Sequence, residues 1–247
     1  YSANVGCLQA LLSTTDVAVC DFYVHGSLID GCKHANVMFF RHNNMASLKK
    51  VLERAQNRYK NILVIVDGVY SMDGDIAPLQ EIVTIAHKAG ALVYVDEAHA
   101  TGVIGDDGRG TPNHCGVEGQ VDIVSGTFSK SLGAVGGFIS GKKDVVDYVE
   151  FMARSYMFST SLPPSVCGGV IKALDILEQE PDRRLRLWSH IHYFREKLMG
   201  AGFNIGQSET AIFPIIIGDR KTVLDMTHQL HQAGVFVNPV LYPAVPI

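Results

Sequence analysis

The sequence predicts an α/β fold in which a mostly parallel central sheet carries helices on both faces. Apolar runs rich in Val and Ile alternate along the chain with segments that have the period of amphipathic helices. The apolar runs show little polar and apolar alternation, as expected of strands that are buried on both faces. Together these two observations favour parallel strands joined by helical crossovers.

Six apolar runs are the candidate strands of this sheet. In chain order they are DVAVC (16–20), NVMFF (36–40), NILVIVDG (61–68), ALVYVDEA (91–98), VDIVSGTF (121–128) and GGFIS (136–140). Two of the intervening segments, 44–59 and 77–90, carry apolar residues at helical spacing, and the second ends on the cap glycine Gly90. The first 140 residues therefore account for the whole predicted sheet.

The pattern changes after about Leu162 and predicts a second, smaller domain. The predicted elements are a helix at 163–178, an amphipathic helix at 180–202, a strand at 211–217, a helix at 221–234 and a strand at 235–240. We place the boundary near residue 180, with a large domain over 1–180 and the start of a small C-terminal domain over 181–247. Because the chain begins at Tyr1 and stops after a proline-rich turn, we expect a piece of a longer protein that lacks part of both domains.

Composition excludes several classes of protein. The chain has 247 residues, of which 47% are hydrophobic and 19% charged, so it can bury a substantial core. A formal charge of −4 with no basic run argues against a nucleic-acid or anionic-membrane partner, and the apolar stretches are too short to cross a bilayer. Five scattered cysteines without a C-x-x-C pair predict reduced thiols in the cytoplasm and no zinc site. The expected partner is a small molecule or another subunit.

Polar residues follow four of the predicted strands, where parallel α/β sheets bind their ligands. These residues are Asp67 and Ser71 after one strand, Asp96, Glu97 and His99 after the next, Thr127, Ser129 and Lys130 after a third, and Asp21 and His25 after a fourth. If the four strand ends meet, a lysine, carboxylates, two imidazoles and several hydroxyls share one cleft.

Lys130 and Asp96 are the two residues with the most informative surroundings. Lys130 lies in GTFSKSLGAVGGF (126–138), among small residues that leave room beside an amine, and burial there would favour the neutral form that can make an imine. Asp96 ends an apolar strand, so its carboxylate needs a cation or donors. The simpler alternatives are a solvated surface lysine and an aspartate that caps a helix. The spacing of a phosphate-binding P-loop is absent, although hydroxyls and backbone N–H groups at this corner could still hold one phosphate.

An imine-forming lysine, an acid at a strand end and a phosphate cup together describe a site for pyridoxal 5'-phosphate. Four motifs, in the order NILVIVDGVYSMDGDIAPL, VDEAHATGVIG, GTFSKSLGAVGGF and YMFSTSLPP, resemble the α-oxoamine synthase family of fold-type I pyridoxal phosphate enzymes. The resemblance implies condensation of an amino acid with an acyl-CoA and loss of carbon dioxide, which gives an α-amino ketone. Among the branches, bacterial serine palmitoyltransferases are most similar, with 8-amino-7-oxononanoate synthases and 2-amino-3-ketobutyrate CoA ligases close behind.

The resemblance also implies roles for residues around the cofactor ring. Lys130 would bind the cofactor covalently and, once released, take the proton from the substrate Cα. Asp96 would pair with the pyridine nitrogen, and His99 and Ser71 would contact the phenolic oxygen. His25 would stack on the ring. The sequence differs from the family pattern around His25: residues 24–27 are VHGS, where the family commonly has NHAS.

A second group of residues is implied for the phosphate. Thr127 and Ser129 would hold it together with the backbone at Tyr1. Ser159 and Thr160, in FSTSLPP, would reach the phosphate of the neighbouring subunit, because the family places its sites at a homodimer interface. We expect the arginine that binds the substrate carboxylate to lie beyond Ile247; among the arginines present, Arg183, Arg184 and Arg186 are read as solvated and Arg154 is a weak candidate.

Two other functions stay open at this level. The first is a different fold-type I activity, such as an aminotransferase or an aldolase, which uses the same cofactor. The second is a non-catalytic subunit that supports an active partner. The presence of Lys130 argues against the second, since a subunit without catalysis has no need of an imine-forming lysine.

Overall fold

Five parallel strands and one antiparallel strand form the central sheet of the computed structural model, which describes residues 1–242 and Val245. The strands are β1 (Val17–Asp21), β2 (Asn36–Phe40), β3 (Ile62–Asp67), β4 (Leu92–Asp96), β5 (Ile123–Thr127) and β6 (Gly137–Gly141). Their spatial order is β2-β1-β3-β4-β5-β6, and β6 runs antiparallel to β5. All six predicted strands are confirmed, as is the mostly parallel sheet.

Helices surround this sheet and continue into the C-terminal part. They are α1 (Ser2–Leu11), α2 (Gly26–Gly31), α3 (Met45–Gln56), α4 (Leu79–Lys88), α5 (Thr111–His114), α6 (Lys143–Met152), α7 (Arg154–Met157), α8 (Pro164–Gln179), α9 (Pro181–Gly200) and α10 (Arg220–Gln232). The five predicted helices correspond to α3, α4, α8, α9 and α10. Asn44 caps α3 by accepting the backbone N–H of Ser47 at 2.8 Å, and Gly90 follows α4 with a φ of +69°. Within the described residues, none of the helices combines the length and the apolar composition that crossing a membrane requires.

Two hydrophobic cores, one on each face of the sheet, hold the helices in place. Val19 packs on one face with Leu48 of α3 and Ile82 of α4. Its neighbour Cys20 points to the other face and packs with Leu8 of α1. Fully burying such a side chain contributes about 1.5–3 kcal/mol. Burial on both faces explains why the strands read as continuous apolar runs and confirms the predicted arrangement of helices.

The two strands predicted in the C-terminal part, at 211–217 and 235–240, are wrong. The structure assigns no strand to either segment. A strand needs a neighbour with which to form a ladder of hydrogen bonds. The N–H of Ile216 donates to the carbonyl of Asn204 at 3.0 Å, but no ladder continues from this bond in the described residues. The apolar sequence of these segments therefore predicted strands that lack a pairing partner here.

Contacts from α9 join the C-terminal part to the sheet domain. Arg184 donates to the carbonyl of Gly105 at 3.1 Å, and the indole N–H of Trp188 donates to the carbonyl of Val103 at 3.0 Å. The Arg184 side chain is only 17% exposed, so the expectation that it is solvated is wrong: its guanidinium holds a loop carbonyl. These contacts cross the proposed domain boundary, which coincides with the junction of α8 and α9 at Glu180.

Candidate active site

A pocket of about 200 Å³ opens at the carboxyl edge of the sheet, where the ends of β3, β4 and β5 meet the N-terminus of α1. The sheet register explains the convergence. Asp67 and Asp96 are partners across β3 and β4, and Asp96 is opposite Ser125, two residues before Thr127. The pocket is lined by these residues from the predicted set: Tyr1, His25, Asp67, Asp96, His99, Thr127, Ser129 and Lys130.

Lys130 follows β5 and extends into this pocket. Its side chain is open to solvent there, yet the surrounding protein displaces enough water to lower the pKa of the ammonium, with Asp96 and Asp67 acting in the opposite direction. Within the described part of the chain, no carboxylate comes close enough to Lys130 to form an ion pair. A lysine with a lowered pKa and no fixed partner is suited to imine formation with an aldehyde.

Asp96 is buried at the end of β4, and both of its oxygens are held by donors. Oδ1 accepts the backbone N–H of Ala98 at 2.9 Å, which is the local bond that a capping aspartate makes. Oδ2 accepts Nδ2 of Asn4 from α1 at 2.6 Å. The carboxylate is therefore fixed in orientation, with Lys130 in the same pocket.

Asn4 connects Asp96 to His25 through a chain of hydrogen bonds that the sequence did not reveal. Oδ1 of Asn4 accepts the hydroxyl of Tyr94 at 2.8 Å, while Nδ2 also donates to Oγ of Ser27 at 2.8 Å. Oγ of Ser27 lies 2.7 Å from Nδ1 of His25. Because this nitrogen also accepts the backbone N–H of Ser27 at 3.3 Å, the Ser27 hydroxyl is the donor to it. The available signal was weak: a lone asparagine within the apolar helix α1.

Both histidines of the pocket are kept neutral near pH 7. Burial lowers the pKa of His25, and Lys130 adds to this effect while Asp96 opposes it. Burial lowers the pKa of His99 to about 4, again with a contribution from the charge of Lys130. Neutral imidazoles can lie against an aromatic ring or donate one N–H without adding positive charge to the site.

Hydroxyls and a helix N-terminus meet at another part of the pocket. The hydroxyls of Thr127 and Ser129 lie 2.8 Å apart, and Thr127 also donates to the carbonyl of Gly136 at 3.1 Å. The first turn of α1 has neither an acidic residue nor a side-chain cap, and Tyr1 and Ala3 from this turn line the pocket. Open N–H groups at a helix start favour an anion, so this part of the site suits a phosphate.

Asp67 adds a second carboxylate beside Asp96. Burial raises the pKa of Asp67 well above its usual range, and the nearby Asp96 adds to the shift. Its Oδ1 accepts the backbone N–H of His25 at 3.3 Å. The pocket thus holds one carboxylate that favours its protonated form next to another that is held by N–H donors.

Five residues singled out by the sequence do not line this pocket, for physical reasons that differ. Asp21 forms a hydrogen bond with His42 at 2.9 Å. The two carboxylate oxygens of Glu97 accept the backbone N–H and the hydroxyl of Thr111. Ser71 is half-buried two residues beyond the lining residue Val69 and stays outside the wall. Ser159 and Thr160 are exposed in the segment that follows α7.

The pocket also contains no arginine from the described residues. Arg154 lies exposed on α7 and outside the lining. A bidentate partner for a substrate carboxylate is therefore not supplied by this side chain in the present arrangement. The weak candidacy of Arg154 gains no support from its position.

The chain is similar in sequence to a known protein family and to curated proteins. A family model described as aminotransferase class I and II matches residues 1–246. The 8-amino-7-oxononanoate synthase of Treponema denticola is 44% identical over 248 residues, a match that covers 100% of this chain and 63% of that protein. The chain thus spans about 63% of the length of the curated relatives it matches.

Solved structures extend this similarity to three dimensions. A serine palmitoyltransferase of Sphingomonas wittichii superposes with a TM-score of 0.94 at 39% identity, covering 100% of this chain and 62% of that one. A high-resolution structure of SPT with PLP internal aldimine has the same TM-score and identity and covers 100% and 63%. These similarities confirm the fold that the sequence resemblance implied.

Proposed function

The chain belongs to the aminotransferase class I and II family, and from this premise we propose that it carries the cofactor site of a pyridoxal 5'-phosphate-dependent α-oxoamine synthase. The proposed reaction is the decarboxylative condensation of an amino acid with an acyl-CoA, which gives an α-amino ketone and classes the enzyme as a C-acyltransferase. The observation that carries the proposal is the meeting of Lys130 and Asp96 in one pocket.

Each functional group of the cofactor has a chemically suitable partner among the residues that line the pocket. Lys130 offers an amine without an ion-pair partner in the described part of the chain, which suits the aldehyde. Asp96 offers a carboxylate for the pyridine nitrogen. Thr127, Ser129 and the start of α1 offer donors for the phosphate. We propose that His25 lies on the ring face and that His99 contacts the phenolic oxygen.

When bound, pyridoxal 5'-phosphate supplies an electron sink for negative charge at the substrate Cα. Asn4 and the N–H of Ala98 keep the Asp96 carboxylate in position, where its negative charge would favour a protonated ring nitrogen. Lys130 would hold the aldehyde of the cofactor, and as a free amine with a lowered pKa it would be the general base nearest to the substrate Cα. Because the imidazole of His25 is neutral, it would add no charge next to the ring, and Asp96 would be the charged group there.

Substrate identity is proposed at the level of class. Segments 187–194 (LWSHIHYF) and 201–215 (AGFNIGQSETAIFPI) favour serine palmitoyltransferase, as do the two superposed structures cited above. The curated relative cited above is an 8-amino-7-oxononanoate synthase. The first activity serves sphingolipid biosynthesis and the second serves biotin biosynthesis. A 2-amino-3-ketobutyrate CoA ligase is the third alternative. All three use an amino acid and an acyl thioester.

A homodimer in the cytoplasm is part of the proposal. Large apolar side chains are exposed along the end of α6 and α7, namely Phe151, Met152, Tyr156, Met157 and Phe158. Exposed apolar patches of this kind mark protein interfaces. Ser159 and Thr160 follow the patch directly, so a second copy seated on it would receive these hydroxyls. We propose that they reach the phosphate of the partner's site.

A substrate panel tests the proposal. The cofactor-loaded protein is mixed with L-serine, L-alanine or glycine and then with palmitoyl-CoA, pimeloyl-CoA or acetyl-CoA. We expect thiol release together with carbon dioxide for one combination. Exchange of the amino acid with a keto acid would instead indicate an aminotransferase, and the absence of any spectral response to the cofactor would indicate a non-catalytic subunit.

A further inference from the structure

A second cavity, which we name the side cavity, adjoins the cofactor pocket on the side of Lys130. Its volume is about 130 Å³, and it shares Ala98, His99 and Lys130 with the cofactor pocket. Its remaining walls are Thr101, Val103, Ser131, Thr210, Ala211 and Ile212. A group in the side cavity therefore lies next to the amine that would act on the substrate.

The three hydroxyls that line the side cavity each donate a hydrogen bond to a backbone carbonyl. Ser131 donates to the carbonyl of Thr101 at 2.7 Å, Thr101 donates to the carbonyl of Glu97 at 3.0 Å, and Thr210 donates to the carbonyl of Gly74 at 2.9 Å. None of these three hydroxyls is left to donate to a ligand. Apart from His99 and Lys130, which the side cavity shares with the cofactor pocket, methyl groups and aliphatic side chains form its contact surface. This part of the side cavity suits an apolar group.

The far wall of the side cavity is fixed by the loop that precedes α4. Besides the Thr210 hydroxyl, the N–H of Glu209 donates to the carbonyl of Gly74 at 3.0 Å, and Ser208 donates to the carbonyl of Ile212. A Cβ at Gly74 would lie only 2.4 Å from the carbonyl oxygen of Ile212. Because Gly74 lacks that atom, the Thr210–Ile212 segment can approach closely and close the cavity.

We propose that the side cavity binds the first carbons of the acyl chain of the acyl thioester, next to the carbonyl that reacts. This inference rests on the function proposed above and specifies where its acyl substrate lies. An apolar cavity of roughly 150 Å³ holds a group of about the size of benzene. The side cavity is therefore too large for the small side chain of serine or alanine alone and suits a short aliphatic chain.

The test measures how affinity depends on acyl-chain length. Acetyl-, butyryl-, hexanoyl- and octanoyl-CoA are titrated calorimetrically into the cofactor-loaded protein without amino acid, so that no reaction occurs. We expect the dissociation constant to fall about fourfold for each added methylene up to hexanoyl and then to level off. In Ala211→Leu, which fills the side cavity from an exposed position, the dependence on length should disappear. The matched variant Ala201→Leu, exposed and outside the cavity, should keep it.

A second pair of variants enlarges the cavity. Ile212→Ala should move the levelling point to octanoyl, whereas Ile216→Ala, which is exposed and outside the lining, should not. Unchanged length dependence in both Ala211→Leu and Ile212→Ala overturns the inference. Borohydride reduction with mass spectrometry is run on every variant: absence of cofactor on wild-type Lys130 overturns the proposed function as well, while its presence confines the failure to the side cavity.

Discussion

Nδ2 of Asn4 donates a hydrogen bond of 2.6 Å to Oδ2 of Asp96, which joins the first helix to the end of β4 across 92 residues of chain. The same amide also bonds Ser27 and Tyr94. Asn4 is only 5% exposed. One buried side chain thus fixes the carboxylate and, through Ser27, the imidazole of His25.

We expect Asn4→Ala to lower the free energy of unfolding by about 2 kcal/mol, since it leaves buried partners without their hydrogen bonds. Cofactor affinity should fall as well, because Asp96 and His25 lose their common support. Denaturant unfolding and cofactor titration measure the two effects. Asn57→Ala removes a bond to the carbonyl of Glu53 on the surface and should change stability by less than about 0.5 kcal/mol. Equal losses in the two variants would contradict the role of Asn4.

Lys130→Ala should abolish covalent attachment of pyridoxal 5'-phosphate. The amine lies in the pocket, and no other lysine lines it in the described residues. Reduction with borohydride followed by peptide mass spectrometry measures the attachment. Lys142→Ala, at an exposed position, should retain it at Lys130. A modified peptide at another lysine in the Lys130→Ala protein would show that the assignment is wrong.

Asp96→Asn should keep much of the cofactor affinity and lower exchange of the substrate Cα proton by at least about a hundredfold. A neutral amide no longer favours the proton on the ring nitrogen. Exchange is measured by NMR in deuterated water with the amino acid that binds, and cofactor affinity is measured separately by titration. Wild-type exchange in a variant that is fully loaded would remove Asp96 from this role.

Glu97→Gln should change how stability depends on pH. Burial raises the pKa of Glu97 from 4.5 to about 7, although bonds from Thr111 act in the opposite direction. Between these two values the folded protein holds a proton that the unfolded chain releases, so this contribution to stability is present at low pH and lost as pH rises through about 7. The stability of the wild type relative to the variant should therefore fall by about 3 kcal/mol from pH 4 to pH 8.

Unfolding free energies of both proteins across this range give that difference directly. His99, whose pKa is lowered, acts with the opposite sign in the wild type, but it is present in both proteins and cancels. A difference that is constant with pH would mean that Glu97 ionises in the folded state as it does in the unfolded chain.

Phe158→Asp should weaken the proposed homodimer without a large loss of monomer stability. Phe158 is 81% exposed and belongs to the apolar patch at the end of α6 and on α7. Phe236 is 80% exposed elsewhere on the chain, which makes Phe236→Asp a matched control. Sedimentation velocity over a concentration series compares the two. If both variants dimerise as the wild type does, the interface lies on another surface.

The strands of the sheet could be predicted because burial on both faces requires continuous apolar residues, as in Ile62–Asp67. Helices α1, α2, α5, α6 and α7 were not predicted. The buried residues of α1 include Asn4 and Gly6, which interrupt the apolar period that predicts helices. The strands predicted at 211–217 and 235–240 were wrong because apolar composition does not show whether a pairing partner is present.

The sequence by itself determined that Lys130 and Asp96 lie at strand ends of a parallel sheet, since chain order and crossovers direct those ends to one edge. Only the tertiary structure decided which other groups join them. It brought in Asn4 and Ser27, directed Asp21 to His42 instead, and left Ser71 outside the wall. The physical reason is that hydrogen bonds form between atoms within about 3 Å of one another, and the distance between residues far apart in sequence is set by packing.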